Sequence, residues 1–468
     1  MSGPNPATVR RKSQSSLRER IARSRLPSAI RDAGTLGSGA LLSQGILFLA
    51  APLFLRLYEP ADFGLYSFTY STIALIATIV TWKTERLIVV VQAKATAIRL
   101  MVALLLITLG GTLVLFVLLL LTERLAGMLP IQSALDLRRL MWPAPVSMLV
   151  LVAMTATRLY SIRVAKFRDA AVAQAIRAVV FVAGIIGTAV IWQGMHGHGA
   201  IVMLSWQIAA DACALAVQLR ANRRVMRLMV LRPRVRQSLV ILARHKKTVS
   251  ALALSELIRS ANQQLPLATV TLAFGAVPAG WYSLATAFVS APGSVVALAV
   301  GDVVNQRLSR LHAGGRPIAH LVLRTVIGMA AVGLVPFAAI SLLAPALLPV
   351  LLGHKWSDAS RTVSIIAIAS YLWFVTEPAT NVPLIIGAKR YIILWHALRM
   401  ANWISFGIAA LAGLTTYTGW LWLTVAGSSL IYALESALGF FIARSADRRR
   451  GQPGVSGAVP VAVDASVR

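Results

Sequence analysis

Residues 100–122 read LMVALLLITLGGTLVLFVLLLLT, an uncharged run fenced by Arg99 and Glu123. Its length matches the roughly 20 residues a helix needs to cross about 30 Å of hydrocarbon. The apolar residues do not alternate with polar ones, which argues against a barrel strand. In lipid the backbone must satisfy its own N–H and C=O groups, and an uninterrupted helix does so.

The same pattern recurs along the chain. Twelve spans can be drawn, roughly at 35–57, 63–82, 99–121, 140–160, 171–192, 199–219, 248–274, 280–301, 321–343, 361–382, 391–412 and 418–443. Of these, 361–382 reads as the least hydrophobic. Composition agrees: 57% of the 468 residues are apolar, 13% are charged and the mean hydropathy is +0.73. A soluble domain is about a quarter charged. An apolar surface of this extent would aggregate in water and has a favourable solvent only in lipid.

The net charge of +30 would suggest nucleic acid in a soluble protein. Here the basic residues sit in short connections between apolar runs, so membrane orientation and anionic lipid headgroups account for them and nucleic acid is not expected. Of 46 Lys and Arg residues, 38 fall in the N-tail, in alternate connections (83–99, 158–168, 220–247, 302–324, 387–399) and in the C-tail. Six fall on the other side: Arg56, Arg124, Arg138, Arg139, Lys355 and Arg361. Arg177 and Arg259 lie within spans. A bias this one-sided makes the 38-residue side cytoplasmic, with both termini on it. The expected organisation is a basic N-tail (1–34), a six-helix bundle (35–219), a basic linker (220–247), a second six-helix bundle (248–443) and a C-tail (444–468). The linker, with ten Lys and Arg residues, reads as a topology anchor lying on anionic lipid.

Several classes of chemistry are disfavoured. The single cysteine, Cys213, makes no intrachain disulfide, and no Cys/His metal spacing exists. His196 and His198 read as loop residues. The polar, basic N-terminus lacks the short apolar core of a signal peptide. No phosphate-binding loop of the Walker type occurs. The outer connections, about 122–139 and 344–360, are too short for a folded catalytic domain, so no catalytic residues and no cofactor are expected. Trp82, Trp142, Trp192, Trp356, Trp420 and Trp422 fall near span ends and read as an interfacial belt.

The two groups of six spans echo each other. Span one carries Gln44 and Pro52 and turns through Tyr58-Glu59-Pro60-Ala61-Asp62-Phe63 into Gly64-Leu65-Tyr66-Ser67. Span seven carries Gln263, Gln264 and Pro266 and turns through Phe274-Gly275-Ala276-Val277-Pro278-Ala279 into Gly280-Trp281-Tyr282-Ser283, 216 residues later. Six spans per repeat implies halves related by an axis along the membrane normal, a transporter architecture. Proline-interrupted helices in matching positions point to the substrate site.

These elements resemble the polysaccharide flippase family, the Wzx-like branch of a superfamily that includes multidrug-and-toxin exporters and the lipid II flippase. The resemblance rests on Leu57 to Tyr66, on Lys83-Thr84-Glu85-Arg86-Leu87-Ile88-Val89, on the basic stretch Arg158 to Arg168, and on Gln264-Leu265-Pro266 with Phe274-Gly275 and Gly280 to Ala285. It continues through Leu351 to Ala359 and Glu377-Pro378, in order from about 35 to 440. Leu87, Leu352 and Ser360 depart from the family pattern, and the acidic stretch that often follows the second span is missing. The resemblance implies a MATE-like, all-α integral membrane fold of about twelve helices in two bundles. It also implies translocation of an undecaprenyl-pyrophosphate-linked oligosaccharide across a bacterial inner membrane, beside other polysaccharide assembly proteins.

A lipid pyrophosphate is a polyanion, and an ionisable residue inside a span, costing roughly 2.5–3.5 kcal/mol on insertion scales, marks a functional position by default. Arg259, midway along span seven, is the first candidate for substrate binding, with Glu256 one turn earlier as its resting partner. Asn262, Gln263 and Gln264 extend that polar stretch. Arg177 in span five is a second cation, placed either to bind substrate or to snorkel to the inner headgroups; Gln44 is a weaker contact candidate. Asp211, Glu377 and Glu435 are carboxylates within spans, candidates for coupling transport to H+ or Na+. Two other readings fit the composition: a cation-coupled small-molecule exporter, which would favour an acidic, aromatic cavity, and a polysaccharide polymerase or ligase, which would need larger outer loops.

Overall fold

Among the described residues every regular element is helical. The computed structural model describes residues 39–91, 93–126, 140–192, 197–223, 225, 235–244, 246–380 and 382–450. The N-tail (1–34), linker residues 226–234, Arg138, Arg139, His196 and the side chain of Glu256 lie outside what is described. Among the described residues, twelve long helical segments follow the twelve expected spans. They are α1 (Gly39–Leu57), α2 (Pro60–Thr81), α3 (Lys94–Ala126), α4 (Ala144–Arg163), α5 (Phe167–Ile191) and α6 (Gly199–Ala221). Next come α7 (Lys246–Phe274), α8 (Ala276–Ala285, continuing through a π turn at Thr286–Ser290 into Ala291–Ala313) and α9 (Ala319–Leu352). The last are α10 (Ala359–Thr376), α11 (Lys389–Leu411) and α12 (Tyr417–Arg450). Nine helices among the described residues are long and apolar enough to cross a membrane by length and composition. The other three segments are α7 and α11, which carry charged residues, and α8, which the π turn interrupts.

The chain divides into two compact units, residues 1–62 with 69–257 and residues 63–68 with 258–468. In the first unit the turn between α1 and α2 is fixed by its own sequence. Pro60 opens α2, where its missing N–H is no loss. The Tyr58 hydroxyl donates to the Ile185 carbonyl at 2.9 Å, and burial beside Asp62 pushes that phenol up to about 12. Asp62 accepts the Ala200 N–H at 3.2 Å, satisfying an orphan donor at the start of α6. At the opposite end, Arg163 donates to the carbonyls of Ile88 (3.0 Å), Val89 (3.4 Å) and Val91. These carbonyls close the short helix Leu87–Val90 and have no partner within it. Lys166 does the same for Ala221 at the end of α6. Gln218 and Asn222 of α6 bond Thr157 (2.7 Å) and Ser161 (2.8 Å) of α4.

The second unit holds residues 63–68, and here the two Gly-x-Tyr-Ser elements meet. A Cβ on Gly64 would sit on the Ala276 carbonyl and the Gly280 nitrogen, so only glycine permits this approach. Phe63 packs edge-on against Trp356, centroids 6.1 Å apart. Gly275 opens α8 at φ +93° and ψ −174°, a conformation reserved for glycine. Prolines within α9 free carbonyls in the preceding turn. Pro345 leaves the Ser341 carbonyl without its helical partner, and Ser364 of α10 donates to it at 2.6 Å, while Ser341 returns a bond to the Ser364 carbonyl at 3.1 Å. Helix α12 continues beyond 443 to Arg450, and Asp447 accepts from the Ile318 and Ala319 N–H groups at the start of α9.

The tryptophan belt divides. Trp82, Trp192 and Trp422 are exposed, as belt residues should be, whereas Trp356 and Trp420 are fully buried. The latter two belong to the packing of the second unit, a role that position near a span end does not reveal.

Candidate functional site

Among the described residues, each unit carries an Arg–carboxylate pair with a buried carboxylate joining its fifth and sixth helices. In the first unit, Arg177 of α5 pairs through Nε with Oδ1 of Asp211 on α6. Asp211 is 1% exposed and Arg177 32%. The same carboxylate accepts from Gln207 Nε2 at 3.1 Å and from the Tyr70 hydroxyl at 3.3 Å. Tyr70, on α2, in turn accepts from the Arg177 guanidinium at 2.9 Å. Every oxygen of Asp211 is thus engaged, and Arg177 is held inside the unit rather than directed to the inner headgroups.

A second guanidinium completes this cluster. Arg158 lies within α4, half-buried and in electrostatic reach of Arg177. Among the described residues it makes no ion pair. A second guanidinium thus lies beside the Arg177–Asp211 pair within the first unit. Sequence reading placed Arg158 in the basic loop 158–168; the helix runs on to Arg163, so Arg158 sits more than a turn inside it.

In the second unit Arg399 of α11 pairs with Glu435 of α12, at 17% and 3% exposure. The guanidinium carbon also lies 5.0 Å from the centroid of the Tyr432 ring, a cation–π contact. Glu377, opening the 3-10 turn Glu377–Ala379 after α10, is in electrostatic reach of both Arg399 and Glu435. The Arg399 Nε is buried without an acceptor. The charge bias groups Arg399 with the inner connection 387–399; in the structure it stands ten residues into α11, near the middle of that helix. Its nearness in sequence to Lys389 and Arg390 makes it look like part of a basic connection. The signal that could have exposed it is a carboxylate on the following span, Glu435, at nearly the spacing that separates Arg177 from Asp211.

The polar stretch of α7 packs on α11. Asn262 donates to the His396 carbonyl at 3.4 Å, and its Oδ1 is buried without a donor. Pro266 also removes the helical partner of the Asn262 carbonyl. Arg259 is exposed, contacts Gln263 Oε1 at 3.5 Å and is in electrostatic reach of His396. Gln263 is exposed and Gln264 half-buried. Gln44 is exposed on α1. Of the residues singled out by sequence, the fold joins Arg177 to Asp211, Glu435 to Glu377 and Asn262 to the α11 backbone. Asp211 and Glu435 are engaged by arginine rather than free for a cation. Among the described residues no group of three His, Cys, Asp or Glu side chains is placed to hold a metal.

Comparison with known proteins places this geometry. A family model described as "Polysaccharide biosynthesis protein" matches residues 53–361. No curated protein matches the chain. Among solved structures, the lipid II flippase MurJ in an inward closed conformation superposes with a TM-score of 0.63 at 10% identity, over 88% of this chain and 90% of that one. An inward-facing multidrug resistance MATE family transporter of the MOP superfamily gives 0.61 at 15%, over 86% and 96%. A MOP superfamily transporter from Pyrococcus furiosus gives 0.54 at 13%, over 90% and 96%. At these identities the likeness establishes a fold shared with transporters: an all-helical, multi-pass integral membrane architecture.

Proposed function

We propose a function from one premise: the chain belongs to the polysaccharide biosynthesis protein family. It translocates an undecaprenyl-pyrophosphate-linked oligosaccharide from the inner to the outer leaflet of a bacterial cytoplasmic membrane, by alternating access, with both termini in the cytoplasm. The observation that carries this reading is the pair of neighbouring guanidiniums, Arg158 and Arg177, set within helices of the first unit. Two guanidiniums held side by side within spans are costly and mark a functional position. A diphosphate entering beside them would offset their mutual repulsion, and guanidinium forks match phosphate oxygens in two-point contacts.

On this reading Arg158 and Arg177 receive the diphosphate, with Asp211, Tyr70 and Gln207 holding Arg177 in place between cycles. Arg259, with Asn262, Gln263 and Gln264 beside it, is a further cation proposed for the headgroup, and Glu256, one turn earlier in the sequence, is its proposed resting partner; Gln44 is a weaker contact candidate. Coupling to H+ or Na+ falls to Glu377, which shares Arg399 with Glu435, rather than to Asp211. Anionic lipids neutralise the basic linker, and enzymes of polysaccharide assembly supply and consume the substrate.

The test is genetic and biochemical. Deletion of the protein should make lipid-linked repeat units accumulate in the inner leaflet. Arg158→Gln and Arg259→Gln should each reproduce that accumulation while the protein remains inserted at its normal level. Transport unchanged in both variants would discard the reading. Reporter fusions that put residues 220–247 outside the cell membrane would discard the topology.

A further inference from the structure

Six aromatic side chains of the second unit gather where α7, α8, α11 and α12 converge. The Phe274 ring centroid lies 5.6 Å from that of Tyr417 and 6.1 Å from that of Trp420. Trp281 stands 5.9 Å from Tyr417, and Tyr282 and Trp403 each stand 6.1 Å from Trp420. These are the spacings of packed aromatic pairs. Trp420 is the floor of the cluster, with no exposed surface. The other five rings are partly exposed and form its rim.

Packing alone leaves one feature of this cluster without a purpose. A buried indole N–H ordinarily finds an acceptor, and an unsatisfied buried donor calls for an explanation. Here the Nε1 groups of both Trp281 and Trp420 are buried with no acceptor. The neighbouring Tyr417 hydroxyl is already engaged with Thr362 at 3.1 Å. Hydrocarbon offers nothing to these donors, and purely apolar rings could line this cluster without the cost of hiding two N–H groups. Trp422, two residues beyond Trp420, is 50% exposed and behaves as an ordinary belt residue.

We infer that this cluster is a subsite for the glycan of the transported lipid, an inference that rests on the flippase reading above. A sugar ring presents an apolar C–H face and an edge of hydroxyl oxygens. The aromatic rings of the rim receive the face, and the two indole N–H groups, covered by those rings while the site is empty, donate to the hydroxyl oxygens once the rings part around the sugar. Phe274 ends α7 and Tyr417 begins α12, so the cluster lies at the ends of these helices that face the outside in the proposed topology. It therefore receives the glycan on the side where the glycan is delivered.

The experiment uses the full chain in lipid nanodiscs and two probes. One is the lipid-linked repeat unit extracted from the source cells; the other is undecaprenyl pyrophosphate without sugar. Binding is read by quenching of intrinsic tryptophan fluorescence and checked by radiolabelled-lipid filtration. The wild type should bind the glycosylated lipid more tightly than the bare one. Trp281→Phe and Trp420→Phe, which keep a ring and remove the N–H, should each lower affinity for the glycosylated lipid about threefold to tenfold, the worth of one neutral hydrogen bond. Neither should alter affinity for the bare lipid, which also verifies that the variants are folded. Trp422→Phe should change nothing. Equal binding of the two lipids by the wild type, or variants that bind the glycosylated lipid as the wild type does, would overturn the subsite while leaving the flippase reading in place. Failure of the wild type to bind either lipid would overturn both.

Discussion

The two buried ion pairs occupy matching helices and are built differently. Asp211 is saturated: Arg177, Gln207 and Tyr70 all donate to it, and Tyr70 closes the ring by accepting from Arg177. Glu435 has Arg399, and Arg399 in turn keeps one buried N–H without an acceptor while leaning on the Tyr432 ring. The neighbouring charges differ as well. In the first unit a second guanidinium, Arg158, lies near Arg177; in the second a second carboxylate, Glu377, lies near Arg399 and Glu435. Matching helices thus carry a pair each, and the residues around each pair give it a different electrostatic setting.

The largest effect that would sharpen this contrast comes from removing each arginine. Arg399→Gln leaves Glu435 buried beside Glu377 with no guanidinium, and should cost about 3–5 kcal/mol of stability. Arg177→Gln should cost distinctly less, because Tyr70 and Gln207 still donate to Asp211, yet should abolish transport in protein that remains folded. Thermal unfolding in detergent and leaflet-resolved transport separate the two. Equal destabilisation by both substitutions would break the comparison.

A smaller effect tests the ring around Asp211. Tyr70→Phe removes one donor and one acceptor from a cluster that retains its ion pair, and should cost about 1–2 kcal/mol. No loss of thermal stability would mean that Tyr70 is a bystander. The smallest concerns the second unit: Tyr432→Leu should cost roughly 0.5–1 kcal/mol through the lost cation–π contact. The same substitution introduced into Arg399→Gln should then cost less, since the cation is gone, and a double-mutant cycle measures the difference.

Much of the fold was legible in the chain. Charge-free runs such as 100–122 specify helices because lipid leaves the backbone no other donors and acceptors. The echo of Gly64 to Ser67 in Gly280 to Ser283 marked the repeat, and the structure gives a reason for Gly64, where a side chain would strike the Ala276 carbonyl and the Gly280 nitrogen. The basic-residue bias along the connections was readable for the same kind of reason, because a charge next to a span is sorted by the membrane one residue at a time. The candidate site was legible only in part. Arg177 stood out inside an apolar run, whereas Arg158 lay near a span end and Arg399 close in sequence to Lys389 and Arg390, so each resembled a residue of a basic connection.

By itself the sequence determined that this protein crosses a membrane repeatedly as helices, in two related halves, because those properties follow from local runs and spacings. The tertiary structure decided which charges are spent on one another. Arg177 and Asp211, like Arg399 and Glu435, meet across neighbouring helices more than thirty residues apart in the chain. Whether a buried guanidinium meets a carboxylate depends on which side chains packing brings within a few ångströms of it, and no one-dimensional pattern carries that distance.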